Sequence, residues 1–573
     1  MRHVILPAVL AAIAALLPAQ SQSGITLRKV PAASADYWAG FPPPPLMTGI
    51  GNDTLKITTR SSGAQAYFTQ GLRLLHCFWW FEAYRAFRQA SQLDPSAAMP
   101  YWGMAEALTS FPAMGSDARA AIENAKSRMG AATDHEEYYI RAAADEIEIP
   151  GDRGRKESIH EMETLIERFP DDVNAQAFLA LTEMSGHNPD GSPREGEMYS
   201  QMLLRNILAS HPRDAAANHY WIHAVEDGPQ PQEALKSAEL VPQLAPNSAH
   251  MVHMAGHIYY RLGEWEAARQ AFLASMRVDD DYMASERIRP WQDVNYAHNL
   301  SYLVAACAEE GRYAEAMRWA SKLRGLRASP IYGEKTAVYA ISTGDTRLRL
   351  DLRFGNWQAA ARDPVDFGAG LGQSASSAAK EFAQGWRLFA RAMAALHAEQ
   401  GVAQIGEATR DAAGLKTLTA RMQKEVTADP RQGQDGSKRA LALLKTAAME
   451  LAGNVQGASG NNQEAIALLK SAVQQEKELG YSEPPYYARP VEESLGEAYL
   501  KAHEWKPARA AYRAELRLRP ASGFALYGIA RSYDLEGSLS QAASAYHAFL
   551  AQWAHADRDL PQLRRAQAWL RRH

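Results

Sequence analysis

The residues best suited to chemistry in this chain are its histidines. Their phase says more than their number, 17 in 573 residues. His219 and His253 stand 34 positions apart, and so do His223 and His257. On a helix that turns about 100° per residue, His219, His223 and Glu226 fall on one stripe, and His250, His253 and His257 fall on another. Divalent transition metals bind neutral imidazole nitrogen at about 2.0–2.1 Å, and two histidines four apart on a helix can chelate one ion. The candidate metal ligands are therefore His219, His223, Glu226, His250, His253, His257 and His298. Such a cysteine-free set suits copper, zinc or iron. It exceeds one tetrahedral shell, so one ion with supporting histidines, or two ions, would both fit. The same residues would also serve a groove for a peptide or small ligand, or polar packing between helices.

An equal offset of 34 implies a repeating element that carries each histidine to the same place. With Pro95 closing a repeat, Tyr67, Gly71, Leu74, Ala83, Phe87 and Ala90 occupy the tetratricopeptide signature places. Small residues let the two helices of a hairpin cross closely, and large ones fill the gap between hairpins. The pattern returns at Gly496, Tyr499, Ala508, Tyr512 and Pro520, and again 34 residues later at Ala530, Tyr533, Ala542 and Tyr546. Central repeats begin at Ala215, at Ala249 with Gly256, Tyr259, Ala268 and Phe272, and near Ala297 with Gly311 and Ala316. The expected fold is an all-α tetratricopeptide-repeat solenoid of stacked helix-turn-helix hairpins, wound as a right-handed superhelix.

In such an array the first helix of each hairpin lines the concave side. His219 and His253 take the fifth place, His223 and His257 the ninth, His250 and His298 the second, and Glu226 the twelfth. All of these face the groove. Glu106 and Tyr260 are further groove candidates. Between the clear repeats lie weaker helical segments at 110–205 and 325–460, with breaks at 150–155, 187–193 and 367–377. Before them, Phe41-Pro-Pro-Pro-Pro45 is an extended stretch leading into the array, read as packing or a spacer.

Other candidates have plainer explanations. His76, beside Cys77 and Phe78 on an apolar helix, reads as a core or rim residue. Asp279-Asp-Asp281 reads as a solvated loop. The run from Asp190 lacks the alternating ligands of a calcium loop. No phosphate-binding glycine loop or supported nucleophile motif occurs.

Bulk properties limit what the chain can do. A net charge of −4 leaves no basic field for nucleic acid. Cys77 and Cys307 cannot form a disulfide framework and are expected to be buried thiols. Arg2 and His3, the apolar run Val4–Leu17, and the small residues after Pro18 read as a secretory leader cut after Ala19 or Ser21. No cysteine follows that run for lipid attachment, and no later segment is apolar enough to span a bilayer. The expected organisation is a leader over 1–21 and an extended Pro-rich segment over 22–60. A repeat array with the histidine-rich groove follows over 61–325, then degenerate repeats over 326–460 and a second array over 461–573.

Several stretches together resemble a bacterial family of exported tetratricopeptide-repeat proteins of uncharacterised function. They include Ala64–Leu72, Leu93-Asp-Pro95 with Ala98–Gly103, His219-Tyr-Trp-Ile-His-Ala-Val-Glu226, and His250-Met-Val-His-Met-Ala-Gly-His-Ile-Tyr259 with Arg261 and Gly263. His298-Asn299, Arg353-Phe-Gly355 with Trp357, Glu483-Pro-Pro485 and Trp553–Asp557 also fit. Members of that family often carry Asn-His where this chain has Trp79-Trp80. The resemblance implies fold and site position but no reaction. Two functions stay open. One is an exported binding or scaffold protein whose histidine-rich, metal-holding groove receives a peptide, protein or small ligand. The other is a metal-dependent enzyme, oxidative or hydrolytic, using the same histidines, with Glu226 as ligand or general base.

Overall fold

The computed structural model describes residues 38, 40–111, 114–326, 346–363, 377–398, 402–428, 436–482 and 484–573. The expected leader, nearly all of the segment before Phe41 and the break at 367–377 apart from Ser377 lie outside these residues. The described residues form twenty-five α-helices and no β-strand. None of the described helices is long and apolar enough to cross a membrane.

The helices pair as tetratricopeptide-type hairpins, and the chain divides into two compact units. The first holds the described residues up to Ile258 together with Ala271–Tyr296. The second holds Tyr259–Gln270 and the described residues from Ala297 onward. In the first unit, α1 (Ser62–His76) pairs with α2 (Trp80–Leu93), and α3 (Met99–Thr109) with α4 (Gly115–Lys126). Then α5 (Asp134–Glu148) pairs with α6 (Asp152–Arg168), α7 (Val173–Glu183) with α8 (Glu197–Ser210), and α9 (Ala215–Glu226) with α10 (Leu235–Leu244). The next two helices, α11 (Ala249–Leu262) and α12 (Trp265–Glu286), run across the division.

Helix starts follow from local chemistry. Asp172 and Asp214 accept the amides of Ala175 and Ala217 at the starts of α7 and α9, and Thr133 with Glu136 forms a reciprocal cap on α5. An extended segment laces these starts together. Asn52 accepts the amide of Ala215 and donates to the Arg213 carbonyl, Asn174 donates to Thr54, and Thr58 donates to Glu136. The polyproline stretch is also engaged: Tyr67 and Gln70 donate to the carbonyls of Pro44 and Pro45.

Hairpin packing explains the signature residues. A Cβ on Gly71 would lie 2.6 Å from the ring of Phe87, sixteen residues on, and one on Gly496 would lie 2.5 Å from Tyr512 at the same spacing. Gly256 meets Phe272 in the same way. Each aromatic is a knob that only a side chain of hydrogen can admit. Replacing Gly496 with valine is expected to lower stability by about 2–3 kcal/mol through overpacking. An unshifted thermal midpoint for that variant would contradict this packing.

In the second unit, α13 (Val294–Glu309) is followed by α14 (Tyr313–Arg324), then α15 (Thr346–Phe354) by α16 (Trp357–Arg362) and α17 (Ser377–Leu396) by α18 (Val402–Ala428). Next come α19 (Ser437–Ala458) with α20 (Asn462–Lys477), α21 (Val491–Lys501) with α22 (Trp505–Leu518), and α23 (Gly523–Glu536) with α24 (Leu539–Gln552). A last helix, α25 (Pro561–Leu570), follows. The α19–α20 hairpin repeats the glycine rule, because a Cβ on Gly453 would lie 2.6 Å from Leu469. A sequence search for aromatic knobs passes over it, since leucine fills the place.

Candidate metal centre

Helix α9 is buried on every side: each residue from Ala215 to Glu226 is buried. Its groove-facing stripe is therefore covered. The cover is the first hairpin. His76, the last residue of α1, hydrogen-bonds through Nδ1 to the Tyr220 hydroxyl at 2.9 Å and through Nε2 to Asn174 at 3.1 Å. Phe78 follows with φ 54, left-handed backbone that a bulky residue adopts only when its surroundings hold it there. Its ring centroid stands 4.6 Å from that of His219, 5.5 Å from His223 and 5.4 Å from His250. The five histidines on α9 and α11 are no more than 1% exposed. The expectation of histidines on a shared inner wall thus becomes a closed chamber within the first unit.

The ring orientations are set one by one. The Nδ1–H of His219 donates to the backbone carbonyl of His76 at 2.6 Å. That of His223 donates to Glu226 Oε1 at 2.6 Å, and that of His257, from the neighbouring helix, donates to Glu226 Oε2 at 2.7 Å. His250 Nδ1 donates to Asn295 Oδ1 at 3.2 Å. A neutral imidazole protonated at Nδ1 presents a lone pair at Nε2. Here those lone pairs converge: His219 Nε2 lies 2.9 Å from His250 Nε2 and 3.1 Å from His223 Nε2. Two such lone pairs so close need a positive charge between them, a proton or a metal ion. Nitrogens on one tetrahedral ion with bonds of about 2.0–2.1 Å stand about 3.3 Å apart, close to the spacing found.

The ligand atoms of His219, His223 and His250 all lie within 4.8 Å of one another, as do those of His223, Glu226 and His257. Both oxygens of Glu226 take imidazole N–H groups, the arrangement that orients metal-binding histidines from behind. His253 packs with its ring centroid 4.8 Å from His250 and 4.5 Å from His257, against the edge of Phe272. His298 is buried and belongs to the second unit.

The remaining candidates separate from this set. Tyr260 lies in the second unit, packed edge-on against Trp265 and Tyr302, and burial pushes its phenol up to about 12. Glu106, half-buried on α3, is pushed up to about 8 by burial and by the nearby charge of Glu146. The Asp279–Asp281 run is helical rather than a loop. Asp279 is buried in α12, and the buried Asp293 is pushed up to about 6 by its burial. Both cysteines are free and buried, and burial raises both thiols, so neither is a reactive group.

Sequence reading missed three participants: the His76 carbonyl, Phe78 and Asn295. A backbone carbonyl and a left-handed phenylalanine leave no side-chain pattern. Asn295 sits beyond the irregular stretch that follows α12, where the 34-residue phase is lost.

Burial and the neighbouring His223 ring hold His219 well below its ordinary range. Burial also lowers His76 from 6.5 to about 4. The folded state then binds fewer protons than the unfolded chain between those values, so stability is lost as pH falls from 6.5 towards 4. The expected loss for His76 is about 3 kcal/mol. Urea unfolding of metal-free protein at pH 7 and pH 4.5 measures it. His76→Gln should flatten the slope, and an unchanged slope would remove His76 as its source.

No family model and no curated protein matches this chain. Similar solved structures include one described as the crystal structure of the APC/C hetero-tetramer Cut9-Hcn1. It is 13% identical, covers 89% of this chain and 83% of that one, and has a TM-score of 0.30. Another is the P58(IPK) TPR domain, 14% identical over 70% of this chain and 99% of that one, with a TM-score of 0.21. The tetratricopeptide-type architecture rests on this chain's own hairpins and glycine–knob spacing.

Proposed function

We propose that this protein is a helical-repeat scaffold built around a transition-metal ion, held through Nε2 of His219, His223 and His250. The convergence of three imidazole nitrogens whose opposite Nδ1–H groups are already engaged carries this reading. A single proton would satisfy one nitrogen pair, whereas an ion satisfies all three. Glu226 orients His223 and ties it to His257. The ion rivets α9 to α11, the first helices of two successive hairpins, and so adds to the hairpin contacts that hold the array. The nearly complete burial of the rings favours holding an ion over turning over a substrate.

Repeat arrays of this type usually serve recognition, so the exposed helix faces are proposed to receive a peptide, protein or small-ligand partner. We place this work outside the cytoplasm, after loss of residues 1–21. Elemental analysis of full-length protein purified without a histidine tag tests the metal reading directly. About one equivalent of copper, zinc or iron per chain is expected, and its removal by chelator should lower the thermal midpoint. The double variant His223→Ala/His257→Ala should take up no ion while keeping its helical circular dichroism. Uptake equal to wild type would sink the assignment.

A further inference from the structure

The charge balance of the chamber narrows which ion it suits. Every donor that faces the centre is an imidazole nitrogen, neutral once Nδ1 carries its proton. His253, the next ring outward, is the same kind of donor and could raise the coordination number without changing the charge. Among the described residues the carboxylate grouped with these histidines is Glu226, and it accepts two of their N–H groups. Asp293 accepts the backbone amide of Asn295, the residue whose side chain takes the Nδ1–H of His250. The self-energy of a buried ion grows with the square of its charge, so a dication costs about four times as much as a monocation. One carboxylate balances a monocation. A dication would require a further anion, such as hydroxide, in an open coordination position.

The structure disfavours such an anion. Phe78 lies against all three rings and stacks on His223 with 18° between the planes. It places an apolar face on that side of the nitrogens. A closed, all-imidazole shell with one countercharge and an aromatic lid suits a polarisable monocation that accepts low coordination. Of copper, zinc and iron, the ions this donor set suits, copper alone has a stable monovalent state. We propose that the resident ion is copper(I), held by His219, His223 and His250, with Glu226 as its countercharge and Phe78 excluding a solvent ligand. This rests on the metal-centre reading above.

The test uses full-length, untagged protein under anaerobic conditions. Copper(I) is offered as its bicinchoninate complex and zinc(II) against a chromogenic chelator. One copper(I) per chain is expected, bound at least about 100-fold more tightly than zinc(II). X-ray absorption should show nitrogen donors alone. Phe78→Gly fits the left-handed backbone at that position and should admit a solvent ligand, narrowing the preference for copper(I) at least about tenfold. Zinc(II) or copper(II) bound as tightly as copper(I), with an oxygen donor in the shell, would overturn copper(I) and leave the metal centre standing. Retention of no metal in any state would overturn both. Should Phe78→Gly fail to fold, the wild-type ratio decides alone.

Discussion

Protein carrying His219→Ala is expected to emerge from gel filtration without stoichiometric metal, whereas Glu226→Gln is expected to keep the proposed ion with an affinity about 10–100-fold weaker. The difference follows from position. His219 is the shared vertex of the nitrogen set, 2.9 Å from His250 Nε2 and 3.1 Å from His223 Nε2. Removing it leaves two nitrogens from different helices and no third donor between them, so the loss should exceed the second-sphere range of about 100-fold. Glu226 acts from behind. Its amide analogue keeps one acceptor oxygen for either His223 or His257 but offers an NH2 to the other, loosening one ring without removing a donor. Competition titrations of both variants against one chelator measure the contrast. Equal losses would mean that Glu226 coordinates directly, and no loss in His219→Ala would place the ion elsewhere. Circular dichroism must show both variants helical, because His219 also satisfies the carbonyl of His76.

Arg353→Met, in the second unit, is expected to cost about 3–5 kcal/mol, the range for stripping one partner from a buried ion pair. Arg353 on α15 is 4% exposed and donates to Glu309, Glu493 and the Ser522 hydroxyl, with its guanidinium carbon 3.8 Å from the centroid of the Phe524 ring. Burial would push Glu493 up, but Arg353 and Arg489 hold it below the ordinary range. Glu515, by contrast, is driven well up by burial and by Glu493. Methionine fills much of the arginine volume, so the penalty is electrostatic: two carboxylates lose their shared cation. Adding Glu309→Gln and Glu493→Gln should recover part of the loss, since neither anion is then left without Arg353, while Arg519 and Arg489 give up their pairs with them. Chemical denaturation of the single and triple variants decides it. A triple variant no more stable than the single one would assign the cost to lost packing against Phe524 instead.

What the sequence determined by itself was phase. A 34-residue period places Gly71, Gly256 and Gly496 opposite Phe87, Phe272 and Tyr512, because close helix crossing demands a residue without a side chain facing one that fills the gap. The same period put His219, His223, His253 and His257 on first helices and on one side of them. Periodicity in a helix is a local property, so it survives in the one-dimensional string. The tertiary structure decided what covers that side. The turn after α1 returns to α9, where the His76 carbonyl fixes the His219 tautomer and Phe78 lies on three of the rings. These partners are more than 140 residues away in the chain, and one of them is a backbone atom. No spacing rule joins them. Glu226 illustrates the division best: sequence placed it on the histidine stripe, but only the fold showed both its oxygens committed to imidazole N–H groups. Hydrogen-bond partnership between helices depends on the distance and angle of stacking, which a repeat period constrains but does not specify.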